Sequence, residues 1–398
     1  MLEPAIVLST GTAALGVIGS LGRRGVPVIA LYADKSEVGC VSRWVHEAIP
    51  APHPEREERA LVELLLRLAP RLGRGVLMPC SDGFLAALSR NKRELGAHYH
   101  VACPDAALAK TVLEKSLTYQ AARAAGVPTP RTVLLEAREQ AEHEAHTISF
   151  PCLVKPVLGH RYYQVFRKKM VLARDSEELI AAWREAAAAG TAVMLQEFIP
   201  GDDADGVNYN SYFWDGEPLL EFTAAKIRNA PPRIGSPRVV VSHHVPEVIE
   251  PGRRLLRALG YSGFSCTEFK RDARDGSYKL MEVNGRHNMS SRLAARCGID
   301  FPWLEYRHLA CGERPAPRDF EDGVYWIDLT RDAAHTFRHW RGESYSLAQL
   351  LAPYRRPHVF AELDWRDPRP FVNRLLAGFA WAGEAAQRFV AQALELNG

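Results

Sequence analysis

Short apolar runs alternate with helical patterns along the first hundred residues. Runs at Ala5–Leu8, Val26–Leu31 and Gly75–Met78 are separated by segments with apolar residues at helical spacing, about Ala13–Arg24 and Arg56–Ala69. Parallel strands need crossover helices between them, so this alternation is typical of an α/β unit with a parallel sheet. We therefore predict an α/β fold for the N-terminal region.

The pattern changes from about Asp105. A predicted helix over Ala106–Ala125 ends at Gly126-Val127-Pro128, because glycine and proline disfavour its continuation. Strands and helices then follow in a less regular order, which makes the middle of the chain α+β in part. These elements are a strand at Phe150–Pro156, a strand at Met170–Ala173, a helix at Ser176–Ala189, a strand at Val193–Ile199, a hairpin at Gly263–Asn284 and a helix from about Ser290.

The hairpin carries the most informative pattern. Two alternating apolar/polar runs flank Arg274-Asp275-Gly276, which suits a three-residue loop with glycine in the left-handed position. Ala273 then pairs with Ser277. The same register puts Glu268 directly opposite Glu282, and Asn284, two residues on, faces the same side.

Two carboxylates opposed across one strand pair repel each other. A divalent cation removes the conflict, and oxygen ligands without His or Cys favour Mg²⁺ or Mn²⁺ over zinc. Since Mg²⁺ held by a few carboxylates completes its shell with phosphates and water, Glu268, Glu282 and Asn284 also predict a nucleotide. The alternative is a solvent-facing hairpin whose acids pair with Lys270 and Lys279, and a register slip of one residue would separate the acids.

Two lysines and the end of one strand support the predicted metal–nucleotide site. Lys155 ends an apolar run and precedes Pro156, so an amine lies on an otherwise buried strand and needs an anion. Lys115, on the helix before Gly126, would reach the same phosphates, although an exposed helical lysine is the alternative. Gln196–Gly201 places an acid and exposed backbone groups at a strand end, where adenine finds a donor, an acceptor and apolar walls.

In order and spacing these segments resemble the ATP-grasp superfamily, specifically its carboxylate–amine ligases of the D-aspartate ligase-like kind. The resemblance runs from the first strand to about Gly312 and is strongest at four segments: Lys155-Pro156, Gln196–Gly201, Phe222–Arg228 and the Glu268/Glu282/Asn284 hairpin with Gly285-Arg286. It implies an N-terminal Rossmann-like pre-ATP-grasp domain, an ATP-grasp domain with a lid subdomain, and a small C-terminal unit. The corresponding ranges are 1–104, 105–325 with the lid at about 118–195, and 326–398.

The resemblance also implies roles for individual residues. Lys115 and Lys155 would bind phosphates, Glu268, Glu282 and Asn284 the magnesium ions, and Asp203 the ribose. The adenine would lie against Gln196, Glu197, Phe198 and Ile199. The catalytic cations would be Arg286 at the transferred phosphoryl group or acyl phosphate, with Lys226 and Arg228 turned towards the phosphate or the carboxylate substrate. Solvated basic residues in a flexible loop are the alternative for the last two. His243 and His244 are candidates to act on the amine, but neighbours on a strand face opposite ways.

Two segments depart from the family pattern. The loop over the phosphates, usually rich in glycine, reads Gly159–Tyr163 and then Arg167-Lys168-Lys169, so side-chain cations take the place of backbone amides. The usual Asn-Pro-Arg reads Asn284-Gly285-Arg286, which keeps the arginine. The implied activity is an ATP-dependent ligase that activates a carboxylate as an acyl phosphate and joins it to an amine, with amino acids or peptides as substrates.

Two other classes of function stay open. Gly11–Gly19 follows the first strand and opens a helix, with Asp34 about 20 residues on, as in a nicotinamide-dependent oxidoreductase, but the second glycine of the fingerprint is Ala13. A non-catalytic ATP-binding protein is the other alternative. The intact Glu268, Glu282 and Asn284 set argues against it.

Composition argues mainly against certain partners and locations. A formal charge of +3 on 398 residues gives no reason to expect nucleic acid as a partner. The seven cysteines lack metal-site spacing, the N-terminal apolar run is too short for a secretion signal, and no apolar stretch reaches membrane-spanning length, so we expect reduced thiols in the cytoplasm. Phe371–Leu396 has helical spacing that favours packing on the main body or a second subunit, as in a homodimer, over contact with a membrane or lipid-linked acceptor.

Overall fold

The chain divides into two compact units. The computed structural model describes residues 2–157, 162, 165, 166, 168, 170–339 and 345–377. Unit 1 comprises Met1–Cys103, Arg238–Ser242 and the described part of Arg286–Gly398, and unit 2 comprises Pro104–Pro237 and His243–Gly285. Compactness does not test which segments fold as domains, so the boundaries at 104 and 325 stay predictions.

The N-terminal segment of unit 1 alternates strands and helices as predicted, except that an additional strand at Val45–Pro50 follows the one at Val28–Tyr32 without an α-helix between them. Its elements are β1 (Ala5–Leu8), α1 (Thr12–Gly22), β2 (Val28–Tyr32), β3 (Val45–Pro50), α2 (Glu58–Leu72), β4 (Val76–Pro79), α3 (Asp82–Arg90), α4 (Lys92–Leu95) and β5 (His100–Val101). The strands form one parallel sheet in the order β3-β2-β1-β4-β5, which confirms the α/β prediction. Strands β1 and β4 are neighbours at the point where the strand order reverses, and open α/β sheets bind ligands at the carboxyl ends of such strands.

Unit 2 holds most of the predicted nucleotide-binding residues. Its elements are α5 (Ala106–Leu113), α6 (Lys115–Ala124), β6 (Thr132–Leu135), α7 (Arg138–Ala145), β7 (Cys152–Pro156), β8 (Val171–Ala173), α8 (Ser176–Ala188), β9 (Val193–Glu197), β10 (Gly206–Trp214), β11 (Glu217–Ala230), β12 (Ser236–Ser242), which leads into unit 1, α9 (Ile249–Ala258), β13 (Gly263–Arg271) and β14 (Tyr278–Asn284). Strands β6-β9-β7-β8 form an antiparallel sheet. Strands β14-β13-β10-β11 form a second one.

The single helix predicted over Ala106–Ala125 is wrong, because the chain forms two helices there. Glu114 has an extended backbone, with φ −94° and ψ 107°, so α5 ends before it and α6 begins at Lys115. The Thr118 hydroxyl stabilises the break by donating to the Thr111 carbonyl at 2.6 Å. Lys115 therefore lies at the start of a helix rather than in the middle of one.

The hairpin of β13 and β14 confirms the predicted pairing of Glu268 with Glu282 but not the predicted turn. The last paired residues are Arg271 and Tyr278, so the loop is longer than three residues and Ala273 does not pair with Ser277. A β-bulge then shifts the register between Glu268 and Phe269 and restores the opposition of the two acids.

The C-terminal part of unit 1 completes the description. Its elements are α10 (Ser291–Arg296), α11 (Phe301–Cys311), β15 (Tyr325–Ile327), α12 (Leu329–Arg338), α13 (Leu347–Arg355), β16 (His358–Phe360) and a helical segment at 369–377. The rest of the helix predicted over Phe371–Leu396 lies outside the described residues. Within the described ranges, each helix is too short or too polar to cross a bilayer.

Candidate active site

The site is centred on the opposed acids of the β13–β14 hairpin. Glu268 and Glu282 are paired across the ladder. The Asn284 side-chain amide lies 3.4 Å from Glu268 Oε1 and 3.3 Å from Glu282 Oε1, so all three polar groups share one face as predicted. Cys266, which pairs with Asn284 on the same strand pair, is fully buried.

Two lysines relieve the repulsion between these carboxylates. Lys226 Nζ on β11 donates to Glu268 Oε2 at 2.6 Å, and Lys115 Nζ, at the start of α6, donates to Glu282 Oε2. Burial alone would raise the pKa of Glu282, but Lys115 and Lys226 outweigh it and hold that pKa well below its usual range. Ammonium groups of the chain therefore relieve the repulsion between the acids, but they are those of Lys115 and Lys226 rather than Lys270 and Lys279, and the metal site stays a prediction.

The bulge connects the acids to the helix that carries Lys115. Met281 is the extra residue between Leu280 and Glu282 in the ladder, and its carbonyl accepts a hydrogen bond from the Tyr119 hydroxyl on α6 at 2.6 Å. Helix α6 is thereby fixed against β14. This contact explains how a lysine 167 residues from Glu282 in the chain reaches its carboxylate.

The donor set suits a hard cation. Across the residues that the structure describes, no group of three or more His, Cys, Asp or Glu side chains could hold a metal ion. Two carboxylates and one amide are fewer ligands than an all-protein site needs, but they match a magnesium ion whose remaining ligands are phosphate oxygens and water. The residues present therefore fit the predicted metal when a nucleotide accompanies it.

Lys155 is the second notable cation. It lies on β7 with 8% of its surface exposed, and its ammonium donates to Gln196 Oε1. Gln196 is held in turn by the Thr132 hydroxyl, 3.1 Å from its amide nitrogen. Burial, together with repulsion from Lys115, lowers the pKa of Lys155 to about 7 despite the attraction of Glu282. No carboxylate within the described part of the chain pairs with it, as expected of a lysine that needs an anion.

The strand end at Gln196–Gly201 is held in part by the Glu197 carboxylate. The Glu197 carboxylate accepts from the Arg131 amide at 3.0 Å and from Arg274 Nη2 at 2.5 Å. Ile199 is buried, and the Lys270 ammonium lies 5.2 Å from the centroid of the Phe198 ring. Sequence reasoning took Lys270 only as a possible partner for the hairpin acids, and the structure brings it to this strand end instead.

Asp203 has a structural position that the sequence did not reveal. Its carboxylate accepts from the Asn229 backbone amide at 2.7 Å, the Asn229 side chain at 3.0 Å and the Arg233 amide at 2.5 Å. Only 5% of Asp203 is exposed. The ribose contact stays a prediction, and these bonds favour a role in fixing the end of β11. Arg228, on the same strand, is 1% exposed, so a solvated loop position is excluded for it.

Arg286 belongs to unit 1. Its Nε donates to Asp82 Oδ1 at 2.6 Å, and Asp82 begins α3 immediately beyond the carboxyl end of β4. Arg286 is thus fixed at the switch point of the parallel sheet. The next residue, His287, is buried and shares a 2.7 Å hydrogen bond with Glu305. The sequence signal for Asp82 was a polar pair, Ser81-Asp82, at a strand end.

Three other predicted features have different outcomes. His243 and His244 follow β12 rather than lying within a strand, and both are exposed, so the argument from opposite strand faces does not apply. The phosphate loop at Gly159–Tyr163 and Arg167–Lys169 lies outside the described residues except for Tyr162 and Lys168. All seven cysteines are free thiols, as predicted.

The loop after β1 does not favour a dinucleotide. The Glu37 carboxylate accepts hydrogen bonds from the Thr10 amide and, at 3.2 Å, from the Ser9 hydroxyl. A carboxylate of the chain therefore lies where backbone amides would meet a pyrophosphate. A Cβ added to Gly16 would meet the Ser291 side chain at 3.1 Å, so that glycine serves close helix packing.

Known proteins resemble this chain over part of its length. No protein-family model matches the chain. The D-aspartate ligase of Enterococcus faecium (strain Aus0004) is 27% identical over 268 residues, which cover 61% of this chain and 62% of that enzyme. The match therefore spans less than two thirds of the enzyme's length.

Two solved structures share the fold. The L-amino acid ligase from Bacillus licheniformis has a TM-score of 0.62 at 17% identity, covering 77% of this chain and 74% of that one. The biotin carboxylase domain of the Hydrogenobacter thermophilus 2-oxoglutarate carboxylase, solved with MgADP, ADP and bicarbonate, has a TM-score of 0.62 at 20% identity and covers 82% and 74%. With the parallel N-terminal sheet and the two antiparallel sheets of unit 2, these similarities show that the chain has the ATP-grasp fold.

Proposed function

We propose that the protein is an ATP-dependent ligase that converts a carboxylate into an acyl phosphate and joins it to an amine, releasing ADP and phosphate. The observation that carries this proposal is the cluster of lysines around the opposed acids of one hairpin. Lys115 and Lys226 pair with Glu282 and Glu268, whereas Lys155 is buried with no carboxylate partner among the described residues. Such an arrangement needs an anion.

Charge supports a magnesium–nucleotide complex as that anion. Four lysine ammonium groups lie close enough to affect the pKa of one another or of the hairpin acids: Lys115, Lys155, Lys226 and Lys270. Two of them, Lys115 and Lys226, pair with the hairpin carboxylates. The excess is cationic, and Mg-ATP carries roughly two negative charges. Lys115 and Lys226 would be available to the phosphate oxygens once Glu268 and Glu282 held a magnesium ion.

The roles follow from this exchange of partners. Glu268, Glu282 and Asn284 hold the metal, which neutralises charge on the transferred phosphoryl group when bound. Lys115 and Lys155 bind the phosphates, and Gln196–Ile199 lines the adenine. Arg286, two residues beyond Asn284 in the chain, is the cation for the transferred group, and Lys226 and Arg228 assist it.

The proposed reaction has two steps, phosphoryl transfer and then amide formation. A carboxylate oxygen of the first substrate attacks the γ-phosphorus of ATP, the bond to the β-phosphate oxygen breaks, and ADP leaves. The amine of the second substrate attacks the carbonyl carbon of the acyl phosphate, phosphate departs with the bonding pair, and the nitrogen loses a proton. The lysines and arginines stabilise the negative oxygens crowded together in the first step.

The substrates we propose are amino acids or a peptide, because the 27%-identical relative is a D-aspartate ligase. We place the reaction in the cytoplasm, where the seven free thiols stay reduced. A homodimer is compatible with the proposal but no step depends on it.

A product assay tests the proposed function. Purified protein is incubated with Mg-ATP and pooled D- and L-amino acids, and ADP and new amides are followed by chromatography and mass spectrometry. We expect one amide for each ADP, and ADP formation that requires both a carboxylate and an amine substrate. Stabilisation by Mg-ATP without turnover would support a non-catalytic ATP-binding protein. Stabilisation by NADP(H) but not by ATP would contradict the proposal.

Nucleotide binding is also expected to take up a proton above neutral pH. The pKa of Lys155 is about 7 in the free protein, and nearby phosphates raise it. Affinity for Mg-ATP should therefore fall as pH rises above about 7, because the neutral amine must first be protonated. Calorimetry at pH 8 in buffers of different ionisation enthalpy should detect close to one proton bound per nucleotide, and Lys155→Met should abolish that uptake. Equal enthalpies in all buffers would contradict this assignment.

A further inference from the structure

His287 and Glu305 form a hydrogen-bonded pair in the interior of unit 1. The imidazole Nε2 and the Glu305 carboxylate share a 2.7 Å bond, and the two residues are 3% and 2% exposed. Glu305 lies on α11, whose residues Phe301 and Tyr306 are fully buried. His287 immediately follows Arg286, the cation proposed for the transferred phosphoryl group. The pair therefore joins the backbone beside that arginine to a buried helix.

A buried polar pair contributes more to geometry than to stability. Apolar side chains of similar volume often replace such a pair without loss of stability, because they carry no desolvation cost. A hydrogen bond fixes two groups at one distance and angle, whereas apolar packing tolerates several arrangements. The chain thus has a directional contact where apolar side chains would suffice for the core, which points to a role in orienting a neighbouring residue.

Arg286 is restrained both at its side chain and at its backbone. Its Nε donates to Asp82 Oδ1 at 2.6 Å, and Asp82 is the first residue of α3. Its Nη1 donates to the His287 carbonyl at 3.5 Å, so the guanidinium lies against the peptide that the His287 ring anchors. The Asp82 side chain is 57% exposed and holds only the guanidinium. The buried pair holds the backbone from the interior.

The surroundings of Cys80 agree with this placement. Cys80 follows β4 and is buried, and burial raises the pKa of its thiol to about 12. The Arg286 charge lowers that pKa and the Glu305 charge raises it. Both charges therefore act on one thiol at the carboxyl end of β4, as expected if the buried pair lies beside the arginine.

We infer that His287 and Glu305 are positioning residues for Arg286: their buried bond fixes the backbone from which the guanidinium reaches the transferred phosphoryl group. The inference rests on the proposed function and adds two residues that act through the arginine rather than on the substrate. Placement matters because a shift of about 1 Å at a catalytic group costs roughly 100-fold in rate. Loss of the pair should therefore lower turnover and leave nucleotide binding nearly unchanged.

Initial rates of ADP release with Mg-ATP and pooled D- and L-amino acids test the inference. Glu305→Leu is expected to lower kcat about 10- to 100-fold and to leave the KM for ATP within about threefold. Glu305→Gln keeps a hydrogen-bonding group at the same position and should retain about a third or more of the wild-type kcat. His287→Phe/Glu305→Leu replaces both partners by apolar side chains, so it is expected to fold and still to lose turnover.

Dependence on Arg286 separates positioning from a structural role. In an Arg286→Met background, Glu305→Leu should change the residual rate by less than about twofold, because the group that the pair positions is already absent. A purely structural pair would lower the rate by the same factor with or without the arginine. The matched control is Asp332→Asn, which weakens another buried pair of unit 1, that with Arg238 at 3.1 Å. It should lower the melting temperature without changing kcat.

The remaining outcomes are distinct. Wild-type turnover in the folded His287→Phe/Glu305→Leu protein would overturn the inference, as would equal losses with and without Arg286 or a loss confined to the KM for ATP. Each of these results leaves the proposed function intact, because the wild-type protein still releases ADP. If the wild-type protein releases no ADP, the proposed function fails, and the positioning role fails with it. Melting of each variant separates a folding defect from a defect in turnover.

Discussion

Replacing Glu282 by glutamine is expected to lower the rate of ADP formation about 1,000-fold or more. Glutamine keeps the shape of the side chain but removes one of the two carboxylates opposed across the hairpin. A neutral amide binds magnesium weakly, and the two lysines near the pair then have one acid instead of two. Losses of this order are typical when one major electrostatic group is removed from a phosphoryl-transfer site. Initial rates of ADP release with saturating substrates measure the effect.

The matched control for this variant is Asp275→Asn. Asp275 lies in the turn of the same hairpin, its side chain is 55% exposed, and its carboxylate accepts from Ser277. Asparagine retains that acceptor, so activity within about twofold of wild type is expected. Retention of more than a tenth of the wild-type rate by Glu282→Gln would contradict the proposed metal role.

Replacing Lys155 by methionine is expected to weaken Mg-ATP binding about 100-fold and to make the ligand-free protein more stable at pH 7. The first effect follows from loss of a charge-assisted contact with the phosphates. The second follows because burial holds the pKa of Lys155 at about 7 in the folded protein, below its value in the unfolded chain. The folded state therefore disfavours the charged amine, and methionine removes that cost. A residue that serves only packing would not show both weaker ATP binding and higher stability when it is replaced.

The stabilisation expected from Lys155→Met depends on pH, because it comes from removing a group whose pKa is lowered in the folded protein. The cost of charging Lys155 is fully present below pH 7 and disappears as pH rises towards 10.5, the ordinary pKa of a lysine in the unfolded chain. Urea unfolding should show a gain of about 1–4 kcal/mol at pH 6 that shrinks at pH 10. The loss of the bond to Gln196 offsets part of this gain. A destabilised Lys155→Met protein with unchanged ATP affinity would mean that Lys155 is a structural residue.

Lys110→Met serves as the control for this second variant. Lys110 lies on α5, its side chain is 65% exposed, and its nearest carboxylate, that of Glu114, is 4.0 Å away. Exposed pairs of this kind contribute little to stability. Neither the ATP affinity nor the pH profile of unfolding should change.

Local patterns in the sequence predicted most of the fold. Apolar/polar periodicity depends only on neighbouring residues, so β1, β4 and the β13–β14 hairpin were predicted within about two residues. Strand β3, which follows β2 without an α-helix between them, was not predicted. The break at Glu114 was missed because it depends on a single extended residue within an otherwise helical pattern. The turn of the hairpin was missed because its length depends on hydrogen bonds within the loop, such as that from Gly276 to the Asp272 carbonyl at 2.7 Å.

The partners of the charged side chains came from tertiary structure alone. Glu268 and Glu282 lie on one hairpin, so the sequence placed them opposite each other, but Lys115 and Lys226 reach them from distant segments. Which carboxylate a long side chain meets depends on how helices and sheets pack, and no local pattern encodes that. The same reason explains the bonds of Asp203.

The sequence by itself determined that two acids and an amide share one face of a hairpin and that Lys155 lies on a buried strand, because strand periodicity and apolar runs are local properties. The tertiary structure decided that Lys115 and Lys226, from distant segments, pair with those acids. The net charge of the site depends on segments that are far apart in the chain, so it is set only when those segments pack together.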